Sequence, residues 1–195
     1  MPEFVSRAGL KLEHALNHFQ IDVSGFICAD LGCNAGGFVD CLLQRGAKKI
    51  YAIDTGYGAL DWKLRKDSRV IVMERTNAMH ARLPEKVDRI TIDVAWTKQK
   101  HILPAARRII ADNGIVIVLI KPHYEADPAL LRKGILPAEE VDRVVQTVTV
   151  DILAAGFVLI STVESPIKGA KGNIEVLACL TPQLLPLRSD QLTHD

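Results

Sequence analysis

The sequence predicts an α/β domain: an open, mostly parallel sheet of about seven strands, helices on both faces, and an antiparallel hairpin at the C-terminal end. Three features predict it. Short apolar runs ("FICADLG", "KIYAIDTG", "RVIVMERTN", "RITIDVA", "GIVIVLIKP") alternate with stretches of helical pattern, the signature of parallel strands joined by crossover helices. Residues 115–120 are apolar at every position rather than every second one, as expected of a strand buried on both faces. The last two runs, "FVLISTVES" and "NIEVLACLT", are joined only by the polar loop "PIKGAKG". That loop is too short for a helical crossover, so the two strands pair antiparallel.

The elements follow in order. Residues 5–19 place Val5, Leu12, Leu16 and Phe19 near helical spacing, with Ser6 a candidate cap. Further helical stretches are expected over Gly37–Arg45, Trp62–Arg65, a short segment near His80, and His101–Ala111. After Pro137, "PAEEVDRVVQTVTVDILAAG" reads as a long amphipathic helix with proline in its first turn and Gly156 ending it. Residues 1–181 then form one domain, with residues 1–20 its N-terminal helix. Residues 182–195, with Pro182 and Pro186, are expected to be a loosely held tail.

Composition bounds the function. A chain of 195 residues that is 48% hydrophobic suffices for one core. A net charge of +1 means that a polyanion would be met by local basic groups, not by overall charge. Cys28, Cys33, Cys41 and Cys179 form no CxxC pair and have no histidines at zinc-finger spacing, so buried reduced thiols are expected and no metal site. No run approaches the roughly 18–20 apolar residues of a membrane span, and the first residues lack the apolar core of a signal peptide. A cytoplasmic protein that does not enter the membrane is expected.

The turn "DLGCNAGGF", Asp30–Phe38, stands where the first strand hands over to a helix. Its glycines, Gly32, Gly36 and Gly37, suit a tight turn that a ligand can approach closely. The dinucleotide pattern GxGxxG is absent; the spacing is the one used for S-adenosylmethionine. Asp30, Asn34 and Phe38 belong to the same candidate cradle. Asp54, ending "YAIDTG", can accept from ribose hydroxyls, and Asn77 in "ERTNAM" can meet an adenine edge. The bland reading is that Gly36 and Gly37 serve helix–strand packing and Asp54 a turn.

Ligands of open α/β sheets bind beyond the carboxyl ends of the parallel strands. Asp93 ends "RITID", Lys121 ends "IVIVLIK", and Glu175 opens the final antiparallel strand, so all three share that rim. Lys11, on the first helix, cannot be placed by topology. A strand-end lysine that extends into water is the competing reading of Lys121.

The stretches "FVSRAGLKLEHAL", "DLGCNAGGFVDCLLQRGAKKIYAIDTGYG", "WKLRKDSRVIVMERTNA", "TIDVA", "IKPHYE" and "SPIKGAKGNIEVL" resemble the TlyA-like branch of the FtsJ/RrmJ-type RNA 2′-O-ribose methyltransferases, often labelled haemolysins. The resemblance implies a Rossmann-like methyltransferase fold, S-adenosylmethionine as donor, and a catalytic tetrad of Lys11, Asp93, Lys121 and Glu175. It also implies RNA, ribosomal RNA foremost, as substrate. Lys121 is the expected general base, made available by burial and by the second ammonium of Lys11. Asp93 and Glu175 are expected to hold the two lysines, and Pro122 to restrain the chain after the base. Asp93 also belongs to the donor-binding set.

The chain departs from that pattern in places. Ala8 replaces a glycine, "CNAGGFV" and "DVAWTKQK" differ from their counterparts, and the chain begins almost at the methyltransferase helix, where the branch usually carries an N-terminal RNA-binding domain. Candidate RNA contacts are Arg7, Lys168 and Lys171, with His123 and Tyr124 able to stack on a nucleotide and Tyr124 equally able to pack structurally. The alternative is a non-catalytic RNA-binding or ribosome assembly factor that keeps the fold.

Overall fold

A computed structural model describes residues 3–183. Its seven strands are β1 (Ile27–Leu31), β2 (Lys49–Ile53), β3 (Val70–Met73), β4 (Val87–Ile92), β5 (Ile110–Ile120), β6 (Phe157–Glu164) and β7 (Val176–Pro182). They form one sheet in the order β3-β2-β1-β4-β5-β7-β6. The first five run parallel, and β7 inserts antiparallel between β5 and β6. The chain order reverses between β1 and β4, and a crevice opens at such a point beyond the strand ends.

The helices are α1 (Ala8–Phe19), α2 (Gly37–Gln44), α3 (Trp62–Arg65), α4 (Gln99–Ile109), α5 (Pro122–Glu125) and α6 (Ala138–Ala154). Single 3₁₀ turns lie at Ala78–His80, Pro128–Leu130 and Ala170–Gly172. The unbroken apolar run of β5 is explained by two cores. Val116, Val118 and Ile120 face one core with residues of α4 and α6, while Ile117 and Leu119 face the other with residues of α1, α2 and α3. β7 divides the same way: Leu177 and Cys179 belong with α1 and α2, Ala178 and Leu180 with α4 and α6.

Side chains alternate along a strand, so this parity carries past the strand ends. Residue 121 continues the row of Ile117 and Leu119, and residue 175 that of Leu177 and Cys179. Residue 93 continues the row of Thr91, opposite Ile90 and Ile92, which lie in the α4–α6 core. All three rim positions thus fall on the face that α1 covers.

Several boundaries differ from expectation. α1 starts at Ala8, with Arg7 in the capping position and Ser6 Oγ reaching Ala8 N only at 3.4 Å. The residues before it are held otherwise: Phe4 packs onto Gly9, and Val5 N donates to Asp40 Oδ2 at 2.8 Å. α4 runs straight into β5 at Ile110, so that strand begins upstream of Gly114. α5 is an unexpected single turn with Pro122 at its first position, where the missing N–H costs no bond. β7 reaches Pro182, past the boundary expected at residue 181; residues 184–195 of the expected tail lie outside the described residues. All four cysteines are free and buried. No helix among the described residues is long and apolar enough to cross a membrane.

Candidate active site

Two cavities open at the carboxyl end of the sheet, and the β1–α2 turn separates them. The larger, about 530 Å³, is lined by Gly32, Asn34, Asp54, Asn77 and the segment 93–97. The smaller, about 190 Å³, is lined by Ser6, Ala8, Asp30, Phe38, Asp93 and Lys121 among others. Asp93 stands on the wall of both.

The glycines of the turn divide by role. Gly32, at φ +91°, lets β1 turn against β4: a Cβ there would stand 2.5 Å from the Asp93 carbonyl oxygen. Gly36, at φ +97°, faces Leu60 and Leu64, whose methyl groups occupy the Cβ position, and it lines neither cavity. The packing reading of this glycine is thus realised in the structure. Gly37 lines the smaller cavity and abuts Ser6 and Gly9, allowing the starts of α1 and α2 to meet closely. Phe38 is 2% exposed and belongs to the core beneath that cavity.

Asp54 ties the loop on the other side. Its Oδ2 accepts from Asn34 N at 2.9 Å and its Oδ1 from Gly56 N at 2.7 Å, so the turn reading of this residue is realised on the cavity wall itself. Asn77 caps the following 3₁₀ turn, its Oδ1 accepting from Met79 N at 3.0 Å. Its amide nitrogen, with both N–H groups unused by that cap, is left to offer a ligand in the larger cavity.

The four charged residues form two ion pairs. Lys121 Nζ lies 2.6 Å from Asp93 Oδ1 and donates to the Val94 carbonyl at 3.0 Å. The lysine–aspartate contact is off the hydrogen-bond direction, so charge rather than alignment holds it. On the same face Lys11 Nζ pairs with Glu175 Oε2, both nearly out of water. Lys11 is buried because it falls on the inward stripe of α1 with Leu12, Ala15 and Leu16. His123 lies between the pairs electrostatically. Burial pushes its imidazole below the ordinary value, Glu175 opposes the shift, and Lys121 adds to it.

Asp30 is a third carboxylate on this face, at 1% exposure. Its Oδ1 accepts from Thr91 Oγ1 at 2.7 Å, and its buried Oδ2 has no hydrogen-bond partner among the described residues. Burial pushes its carboxyl up to about 7, with the Thr91 hydrogen bond opposing and the charges of Asp93 and Asp54 reinforcing.

The expected RNA contacts separate. Arg7, Lys168 and Lys171 are exposed. His123 is 7% exposed, its ring 4.1 Å from that of Tyr124 and its Nδ1 buried without a hydrogen-bond partner among the described residues. As placed, its ring packs on Tyr124 and has little surface to offer a nucleotide. Tyr124 is half-buried, and beyond it stands Trp96, 74% exposed on the wall of the larger cavity. Sequence reasoning gave Trp96 and Thr91 no role. Strand parity could have found Thr91, because it shares a row with Asp93.

The family model for FtsJ-like methyltransferases matches residues 4–181. YqxC of Bacillus subtilis, described as an rRNA methyltransferase, is 42% identical over 183 residues, which are 89% of this chain and 64% of that protein. The 16S/23S rRNA (cytidine-2′-O)-methyltransferase TlyA of Mycobacterium tuberculosis is 35% identical over 186 residues, 92% of this chain and 69% of that one. The chain thus spans about two-thirds of the length of these relatives. A solved structure from Streptococcus thermophilus, described as a hemolysin, superimposes with a TM-score of 0.91 at 40% identity, covering 95% of this chain and 70% of that one.

Proposed function

This chain belongs to the FtsJ-like methyltransferase family, and from that premise we propose that it transfers a methyl group from S-adenosylmethionine to a ribose 2′-hydroxyl of RNA, with ribosomal RNA as substrate. Relatives named for cytidine 2′-O-methylation of ribosomal RNA support the reading. The observation that carries it is the place of Asp93, on the wall of both cavities and against the amine of Lys121.

The larger cavity suits the donor. About 530 Å³ lies in the range of small-molecule sites, and Gly32 lets the turn pack closely against the Asp93 backbone on its wall. Asp54 has spent one acceptor site per oxygen on backbone N–H groups. A carboxylate has further lone pairs, and these suit a ribose diol. The amide nitrogen of Asn77 suits a ring nitrogen of a base. When bound, S-adenosylmethionine supplies a methyl group activated by a positively charged sulfur.

The remaining work falls to the chain. A ribose hydroxyl attacks well only as its proton leaves, and Lys121 Nζ, opening on the smaller cavity, is the group that takes it. Asp93 and the Val94 carbonyl direct that amine. Lys11 and Glu175 hold α1 against the end of β7, so that the ammonium of Lys11 steadies negative charge growing on the oxygen. Alignment of the reacting atoms supplies much of the rate.

Lys121→Ala is expected to lower methyl transfer to ribosomal RNA by roughly 10²–10⁴-fold while leaving donor affinity unchanged in a binding titration. Arginine should not rescue it, because it stays protonated. Near-normal turnover in either variant would end the assignment of the base.

A further inference from the structure

Two loops far apart in the chain meet beside the buried ion pair. One leaves Lys121 and leads to α6. Its turn is closed by Arg132 N donating to Ile135 O at 2.8 Å and Ile135 N to Arg132 O at 3.0 Å. Lys133 and Gly134 in that turn both take positive φ, 54° and 82°. The other loop leaves β6 and ends at Glu175. Asn173, 2% exposed, stitches the two: its Oδ1 accepts from Leu136 N and its Nδ2 donates to Gly134 O, both at 3.0 Å.

The second loop is also fastened to the site. Ser165 N donates to Glu175 O and Gly169 N to Asn173 O, each at 2.9 Å. Gly169 lies flat on the Glu175 carboxylate, where any Cβ would collide. Lys171, held at φ +56°, brings its amine over Gly134 of the first loop. Arg132, Lys133, Lys168 and Lys171 are all exposed, and none of them has a carboxylate partner among the described residues.

Four unneutralised cations on a chain of net charge +1 are a local concentration of charge. Two of them, Lys133 and Lys171, sit in backbone conformations that non-glycine residues seldom adopt, and observed outliers of this kind cluster at functional sites. Surface lysines on flexible loops need no such fastening. We propose that these two loops form one phosphate-binding face that clamps the RNA strand as it enters over Glu175. The proposal rests on the RNA reading above.

The test compares wild type with Arg132→Ala/Lys133→Ala and Lys168→Ala/Lys171→Ala. Each is titrated with deproteinised ribosomal RNA over a range of salt concentrations, beside a donor titration. Each pair is expected to weaken RNA binding by about tenfold near physiological salt and to flatten the log K against log salt slope by about 1–1.5. Donor affinity should hold, and Lys168→Arg/Lys171→Arg should retain RNA binding. If wild type methylates the RNA but neither pair moves affinity or slope, the face is only solvated and the proposal fails. Loss confined to polyglutamate binding would assign the face to an acidic protein and overturn it equally. Wild type that transfers no methyl group to any ribosomal RNA would overturn the proposed function, and this face with it.

Discussion

The two ion pairs on the α1 face use the same chemistry in different surroundings. The side chains of Lys11 and Glu175 are 7% and 4% exposed, and those of Lys121 and Asp93 17% and 20%. Water, and therefore a substrate, can reach the second pair but hardly the first. A buried ion pair forms because the alternative, one charge left alone in the core, is worse; it locks two elements together without moving. A half-buried pair at a cavity lip can exchange partners and protons. The comparison suits Lys11–Glu175 to fastening, with the Lys11 ammonium acting on the reacting oxygen through its field rather than by contact, and suits Lys121–Asp93 to the proton transfer proposed above.

The largest way to break this contrast is Glu175→Gln, which leaves the Lys11 ammonium buried without a counter-charge. It should destabilise the fold by about 3–5 kcal/mol, read from the denaturant midpoint. Replacing both partners, as Lys11→Met with Glu175→Leu, should recover most of that loss and still leave methyl transfer absent. A single variant as stable as wild type would show that the pair does not fasten α1 to the sheet.

Asp30 sharpens the contrast, because it is a carboxylate on the same face with a hydroxyl instead of a cation. Its folded value, about 7, lies above the ordinary 3.8. A carboxyl raised in this way contributes stability below the unfolded value and loses it as pH rises through the folded one. Asp30→Asn should therefore gain on wild type between pH of about 4 and 7, with a constant difference above. Parallel stability curves for the two proteins over that window would remove Asp30 from this account.

The smallest effect belongs to a pair whose lysine lies mostly in water and whose buried carboxylate keeps hydrogen bonds from Val5 N and Gln44 Nε2 without it. Lys63 Nζ lies 3.0 Å from Asp40 Oδ2, with the lysine side chain 57% exposed. Lys63→Met should shift stability by no more than about 1 kcal/mol. A loss as large as that of Glu175→Gln would mean that the exposure of the lysine is not what separates these pairs.

Much of the architecture was readable from local pattern. The parallel strands, the C-terminal hairpin, α3 and α6 emerge close to where periodicity puts them, because burial on both faces leaves few polar positions to confuse the reading. The misses are also instructive. α4 and β5 join without a loop, so no turn residue marked the boundary. Gly36 could be read from the sequence as cradle or as packing, and only the fold shows that its missing side chain makes room for Leu60 and Leu64, residues that no local spacing would pair with it. His123 follows the expected base closely, but α5 turns it inward against Tyr124.

The amino-acid order alone determined that Asp93, Lys121 and Glu175 share a rim, because strand direction and a two-residue alternation are properties of the local chain. Only the tertiary structure decided which carboxylate holds which lysine. Lys11 and Glu175 are 164 positions apart, and their meeting depends on how closely α1 can approach α2 and the end of β7. Gly37 sets the approach to α2 by the atoms it lacks, because a Cβ there would strike Ser6, Ala8 and Gly9.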